Sequence, residues 1–174
     1  QRFILEDDKQ TSYMAFRAAE SAIKNAGITP DEIELIIVAT TTPDLTFPST
    51  AALVQAQLGI TSCAAFDIQA VCSGFVYGIT VADAFIKTNM YKNILVIGAD
   101  TMSRILDWND RKTCVLFGDG AGAVIVSASN DHEIQGIIKS KIYTDGSLAE
   151  ILNTDGGTSL NKKAGFVRME GKEV

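Results

Sequence analysis

The amino-acid sequence predicts an α/β fold in which a mostly parallel sheet is covered by helices. Leu35–Ala39 is a continuous apolar run rich in β-branched residues, and Asn93–Gly98 contains another, Ile94–Ile97. Such runs are typical of strands that are buried on both faces. Helical patterns alternate with them, over Thr11–Ala26 and from about Ser73 to Lys87. Strands that alternate with helices indicate crossover connections, and therefore parallel neighbours in the sheet.

Local signals place the boundaries of these elements. Alanines recur at helical spacing over Thr11–Ala26, and Gly27 is suited to end that helix. Thr29–Glu32 resembles a capped helix start with proline at its first position, but the strand that follows leaves room only for a short turn. Further short segments are predicted: a helix after Phe47-Pro48-Ser49 that stops at Gly59, and strands at Ala64–Ile68, Cys114–Phe117, Ala123–Ser127 and Glu133–Lys141.

Composition and charge exclude several classes of function. The 174 residues include 15 basic and 21 acidic side chains, for a formal net charge of −6. An acidic balance argues against a nucleic-acid partner or an anionic membrane surface. No stretch approaches the roughly 20 apolar residues of a membrane span. The start of the chain lacks the pattern of a signal peptide and does not begin with methionine, so we expect a cytoplasmic protein and a chain that starts inside a longer one.

Three widely spaced cysteines, Cys63, Cys72 and Cys114, do not form a disulfide framework, which favours a reducing compartment. One histidine and no pair of closely spaced cysteines give no support to a metal site.

Cys72 is the candidate nucleophile. It lies where the strand at Ala64–Ile68 ends and the next helix begins. Backbone N–H groups at a helix start favour a thiolate and can stabilise an oxyanion on an attacked thioester. That helix is unusually apolar, so we expect it to be central, with Cys72 at the base of a buried tunnel. The alternative is a buried structural cysteine, the role we expect for Cys63 and Cys114.

A glycine-rich segment, Gly118–Gly122, superficially resembles a nucleotide-binding loop. A dinucleotide fingerprint needs three spaced glycines that open a helix, whereas a β-rich run follows here. We therefore predict a tight turn between two strands.

His132 lies in a polar segment and is expected to be a solvated loop residue rather than a catalytic base. A thiolate enzyme needs a partner that orients it or exchanges protons with it. Because the chain has no other histidine, either Cys72 is not catalytic or its partners lie outside this chain.

Several motifs, in this order and at this spacing, resemble the ketoacyl-acyl-carrier-protein synthase III family across nearly the whole chain. They are Val38-Ala39-Thr40-Thr41-Thr42, Phe47-Pro48-Ser49, Ala65-Phe66-Asp67, Ala70-Val71-Cys72-Ser73-Gly74-Phe75, Asp110-Arg111 and Leu116-Phe117-Gly118-Asp119-Gly120-Ala121-Gly122-Ala123.

The resemblance implies an α/β thiolase-like fold, built from two βαβαβ-type halves with mixed or mostly parallel sheets. Residues 1–174 would form the N-terminal half-domain without its first strand, and the catalytic His and Asn would belong to the other half. It also implies a homodimer with no metal or cofactor, whose substrates are acyl-coenzyme A and malonyl-acyl carrier protein.

Carried over by position, the resemblance places Cys72 on the acylated cysteine and Arg111 on an arginine that contacts coenzyme A. Phe47 would reach across the dimer to line the partner's acyl pocket, and Met102 and Phe117 would lie near the acyl tunnel. Two positions depart from the common family pattern. Lys112 replaces a glycine near the coenzyme A contact, and Val71 replaces an alanine beside the nucleophile.

The expected reaction is a decarboxylative Claisen condensation that gives 3-ketoacyl-acyl carrier protein and starts fatty acid synthesis. Polyketide- or quinolone-type starter synthases, chalcone-type enzymes and hydroxymethylglutaryl synthases share the fold. A non-catalytic assembly module is the alternative from another class.

Overall fold

The computed structural model describes residues 2–129 and 136–174. They form two compact units. The larger comprises Asp7–Asp100 and Gly120–Ile142, and the smaller comprises Gln1–Glu6, Thr101–Asp119 and Tyr143–Val174. Within the described residues, none of the helices is long and apolar enough to cross a membrane.

The larger unit is built on a four-stranded sheet in the order β2-β1-β3-β4. Its strands are β1 (Leu35–Ala39), β2 (Ala64–Ile68), β3 (Asn93–Thr101) and β4 (Asp119–Ser127). Strand β1 is central and pairs in parallel with both β2 and β3. Strand β4 runs antiparallel to β3, because its last residues bond to the first residues of β3.

Helices cover both faces of this sheet. Helices α1 (Thr11–Ala26) and α2 (Thr50–Gln57) pack on one face, against Ile36 and Val38 of β1. Helix α3 (Gly74–Lys87) packs on the other face, against Leu35 and Ile37. All five residues of β1 are buried, as its uninterrupted apolar sequence predicts.

The smaller unit contains a two-stranded antiparallel hairpin, β5 (Leu152–Thr154) and β6 (Val167–Met169). Its apolar cluster is small and centres on Ile105, Leu106 and Val167. Polar contacts supplement it: Arg168 bonds to the carboxylates of Asp107 and Asp155, at 3.1 and 2.6 Å.

Short 3-10 helices complete the fold at Pro30–Glu32, Val71–Ser73, Met102–Ile105 and Gly146–Leu148.

Three local predictions are wrong. Residues 114–116 form turns and Phe117 is irregular, so this segment is not a strand. Residues 136–141 are irregular, and residues 133–135 lie outside the described residues. The glycine-rich segment is not a strand–strand turn, because β4 already begins at Asp119. The Asp119 carboxylate accepts bonds from Ser103 and Leu5, and all three residues belong to the smaller unit. These three long-range bonds extend the strand to a point that local turn propensity does not indicate.

Thr11 and Thr50 are the first residues of α1 and α2, and both are buried. They differ in whether the side-chain hydroxyl has a hydrogen-bond partner. Thr11 Oγ1 donates to the carbonyl of Thr42 at 2.6 Å, whereas Thr50 Oγ1 has no partner among the residues that the structure describes. We expect Thr50→Val to raise the free energy of unfolding by about 1 kcal/mol, because it removes an unsatisfied hydroxyl. Thr11→Val should lower it by about 1–2 kcal/mol. Urea denaturation of both variants checks this prediction. Equal changes in the free energy of unfolding, relative to the parent protein, would contradict it.

Candidate active site

Cys72 lies between the end of β2 at Ile68 and the start of α3 at Gly74. It is the middle residue of the 3-10 turn Val71–Ser73, and it is exposed. The turn is held locally by the Ser73 N–H, which donates to the carbonyl of Ala70 at 3.1 Å. Val71 has a φ of 48°. That left-handed conformation is rare for a β-branched residue and marks a strained backbone.

Two glycines allow α3 to approach the sheet closely. A Cβ on Gly74 would lie 3.1 Å from Cβ of Ala39, and one on Gly78 would lie 2.9 Å from Cγ1 of Val96. Any larger residue at Gly78 would push the helix away from the sheet. The glycines therefore bring Cys72 close to the carboxyl ends of the parallel strands, the edge where open α/β sheets bind ligands.

The prediction of a central helix above a buried cysteine differs from what these residues form. Helix α3 buries only the side that faces the sheet, and Val76 on another side is 48% exposed. Contacts within the described residues therefore cover one side of this apolar helix and leave apolar side chains on another side exposed. A helix that is apolar all round is normally covered on all sides.

The loop that follows β1 reaches the same edge of the sheet. Oδ1 of Asp100 accepts bonds from the Thr41 N–H at 2.7 Å, from Thr42 Oγ1 at 3.1 Å and from Thr40 Oγ1 at 3.3 Å. Thr41 Oγ1 in turn accepts from Nε2 of Gln69 at 3.2 Å. These bonds join the ends of β3, β1 and β2.

Burial raises the pKa of the Asp100 carboxyl above its ordinary value of 3.8, and the hydrogen bonds from the threonines only partly offset that effect. A raised folded-state pKa means that the contribution of Asp100 to stability is highest below pH 3.8 and falls as the pH rises through the folded pKa. We therefore expect Asp100→Asn to be more stable than the parent protein at pH 7. Near pH 3 the two proteins should be equally stable. Thermal unfolding across this range checks the prediction, and parallel pH curves for the two proteins would contradict it.

The loop continues to Phe47, the residue expected at a dimer interface. Its side chain is 83% exposed, and the neighbouring Leu45 is 54% exposed. The Phe47–Pro48 peptide bond is cis. Behind it, the Asp44 carboxylate accepts bonds from the N–H and hydroxyl of Ser12 at 2.8 and 2.5 Å, so it caps α1. The structure thus presents Phe47 on an anchored loop.

The remaining predicted site residues belong to the smaller unit. Arg111 and Lys112 are exposed and lie in consecutive turns. Met102 and Phe117 are half-buried and pack against the cluster of Ile105, Leu106 and Val167.

The other two cysteines differ from Cys72 in their exposure. Cys63 is half-buried, burial raises the pKa of its thiol, and Gln55 donates to its sulfur at 3.4 Å. Cys114 is also half-buried. His132 lies outside the described residues.

Sequence reasoning missed the aspartates that hold this region. Asp67 caps α2 from β2: its oxygens accept the N–H groups of Thr50 and Ala51 at 2.7 and 2.8 Å. Asp44 and Asp100 support the loop after β1. For Asp67 and Asp100 the available signal was an aspartate within a strand, a place where charged residues are depleted unless they have partners.

Comparisons with known proteins agree with this fold. Residues 66–146 match the family model of 3-oxoacyl-[acyl-carrier-protein (ACP)] synthase III. The beta-ketoacyl-[acyl-carrier-protein] synthase III of Ehrlichia canis is 56% identical over all of this chain and 54% of its own length.

Solved structures extend the agreement to three dimensions. The 3-oxoacyl-[acyl-carrier-protein] synthase III of Aquifex aeolicus is 49% identical, with a TM-score of 0.91 over 99% of this chain and 53% of that one. The priming beta-ketosynthase of the R1128 polyketide pathway is 29% identical, with a TM-score of 0.85 over 99% of this chain and 52% of that one. The predicted thiolase-like α/β fold is thereby confirmed.

The chain spans about half the length of the curated relatives it matches. Within that half, the sequence match covers all 174 residues and the structural match covers 99% of them, and the chain belongs to the 3-oxoacyl-[acyl-carrier-protein] synthase III family.

Proposed function

We propose that a full-length protein carrying this chain condenses an acyl-coenzyme A starter with malonyl-acyl carrier protein, with Cys72 as the nucleophile. The observation that carries the proposal is the placement of Cys72. Its side chain is exposed on a strained turn between β2 and the start of α3, at the carboxyl end of the parallel strands. Nucleophiles are commonly held on such strand-to-helix turns.

In the first half-reaction the Cys72 thiolate attacks the thioester carbonyl, the carbon–sulfur bond to coenzyme A breaks, and coenzyme A leaves as its thiol after taking up a proton. An acyl-cysteine remains. In the second, the malonyl group loses carbon dioxide, and the resulting carbanion attacks the acyl-cysteine. The thiolate is released and 3-ketoacyl-acyl carrier protein forms. Groups that stabilise the enolate would come from outside these 174 residues, whose single histidine is His132.

Arg111 and Lys112 are the proposed contacts to coenzyme A. Both are exposed cations in turns, and a guanidinium suits the planar, bidentate recognition of phosphate. Lys112 adds a second positive charge where a glycine is common in the family. Met102 and Phe117 are proposed to lie near the acyl tunnel.

A homodimer is the proposed assembly. Phe47 and Leu45 are exposed on an anchored loop, and β2 is an edge strand whose Phe66 and Ile68 are only half-buried. Exposed edges and apolar side chains of this kind are usually covered by a partner. The proposal has Phe47 reaching into the partner subunit's acyl pocket.

Intact-mass spectrometry with peptide mapping tests the function. After incubation with acetyl-coenzyme A, a full-length protein that carries this chain should gain one acetyl group, on Cys72. An acetyl group on another residue, or none from any acyl-coenzyme A in a folded protein, would overturn the proposal.

A polyketide-type starter synthase is the second candidate, because the structure of the R1128 priming ketosynthase matches 99% of this chain. The same experiment separates the two: an adduct with a longer acyl-coenzyme A, but none with acetyl-coenzyme A, would favour the starter synthase. Iodoacetamide at a pH well below ~8.5, where ordinary thiols are mostly protonated, separates these from a non-catalytic assembly module: a catalytic Cys72 should be alkylated there, whereas a structural one should be inert.

A further inference from the structure

A carboxylate at the end of β3 is surrounded by neutral hydrogen-bond donors. Asp100 accepts its bonds from the backbone and hydroxyls of Thr40, Thr41 and Thr42. Within residues 2–129 and 136–174, it forms no ion pair with a basic side chain. A half-buried carboxylate without a cation reduces stability when it is ionised. Groups that are kept at such a cost mark candidate functional positions.

Hydrogen bonds connect this carboxylate to the segment that carries Cys72. The Thr41 N–H donates to Asp100, and the Thr41 hydroxyl accepts from the side chain of Gln69. Gln69 follows β2 directly and precedes Cys72 by three residues. We call this chain of contacts the Asp100–Thr41–Gln69 relay.

The turn that carries Cys72 needs support of this kind. A β-branched residue in the left-handed region, as Val71 is, is strained and persists only where the surroundings hold it. Gly74 holds the turn from the side of α3, through its close approach to Ala39. On the other side of the same turn, the relay ends at Gln69, two residues before Val71.

We propose that Asp100 is a positioning residue, which orients the Cys72 turn through Thr41 and Gln69. The inference rests on the proposed acylation of Cys72. An anionic acceptor makes hydrogen bonds about twice as strong as a neutral one, so the carboxylate holds Thr41 more rigidly than an amide would. Small misplacements of a reacting group are costly in rate.

Two conservative variants of a full-length protein test the relay. Asp100→Asn keeps the shape but weakens the acceptor, and Thr41→Val keeps the N–H bond to Asp100 while it removes the acceptor for Gln69. We expect each to slow acetylation of Cys72 at saturating acetyl-coenzyme A about fivefold to tenfold. The concentration that gives the half-maximal rate should not change. Thr61→Val, at an exposed threonine in the loop before β2, is the matched control and should acylate at the parent rate.

The expected combination for Asp100→Asn, higher stability at pH 7 with slower acylation, would not arise from a purely structural residue. Acylation at the parent rate in either relay variant would overturn the proposal.

A second readout, the rate of Cys72 alkylation by iodoacetamide, does not depend on the proposed function. If the parent protein takes no acyl group, the proposed function fails and the relay is judged by alkylation alone. Altered alkylation rates in both relay variants would then support the role of Asp100, and a parent-like alkylation rate in either variant would overturn it.

Discussion

Replacing Cys72 by alanine in a full-length protein should abolish the acyl adduct and lower condensation by at least about 10⁴-fold, because covalent catalysis has no route without its nucleophile. The variant should fold normally. Cys72 is exposed and its side chain fills no core cavity, so truncation removes little packing. Mass spectrometry after incubation with acyl-coenzyme A, together with a condensation assay, measures both effects.

Cys63→Ala is the matched control for this experiment. Cys63 is half-buried beside Gln55, and burial raises the pKa of its thiol, which disfavours the nucleophilic thiolate. The control should retain the adduct. A Cys72→Ala protein that still condensed at the parent rate would remove Cys72 from the mechanism.

Truncating Asp67 to alanine should lower the free energy of unfolding by about 2–4 kcal/mol, the largest stability change that we expect from a single polar residue here. The carboxylate accepts the N–H groups of Thr50 and Ala51, both fully buried, at the start of α2. Without it, two buried donors lose their acceptor and the positive end of α2 loses a nearby anion. The midpoint of urea denaturation gives the measurement.

Asp67→Asn keeps one acceptor oxygen, so it should lower the free energy of unfolding by roughly half as much as Asp67→Ala does. Asp31→Ala removes an exposed aspartate from the turn before β1 and should leave the midpoint almost unchanged. Equal losses in the Asp67→Ala and Asp31→Ala proteins would show that α2 does not depend on this cap.

Much of the secondary structure could be predicted because it rests on local patterns. Helix α1 and strands β1 and β2 have the predicted bounds. An uninterrupted apolar run is enough to indicate a strand that is covered on both sides, as β1 is. Family membership also followed from motifs in a fixed order, and it is confirmed by relatives that match the whole chain.

The errors occurred where distant residues decide the local structure. Residues 114–117 carry a β-like sequence but form turns and irregular chain. Strand β4 begins within a glycine-rich segment because Asp119 bonds to Ser103 and Leu5. No pattern of neighbouring residues encodes those contacts.

By itself, therefore, the sequence determined the α/β class, the central strand, the family and the choice of Cys72 as candidate nucleophile. Each depends on local periodicity or on a short motif. The tertiary structure alone decided that α3 is half-open to solvent and that Asp67 caps a helix 17 residues away. It also decided that Asp100 joins the ends of three strands, because chain segments far apart in sequence meet only when parallel strands bring their carboxyl ends to one edge.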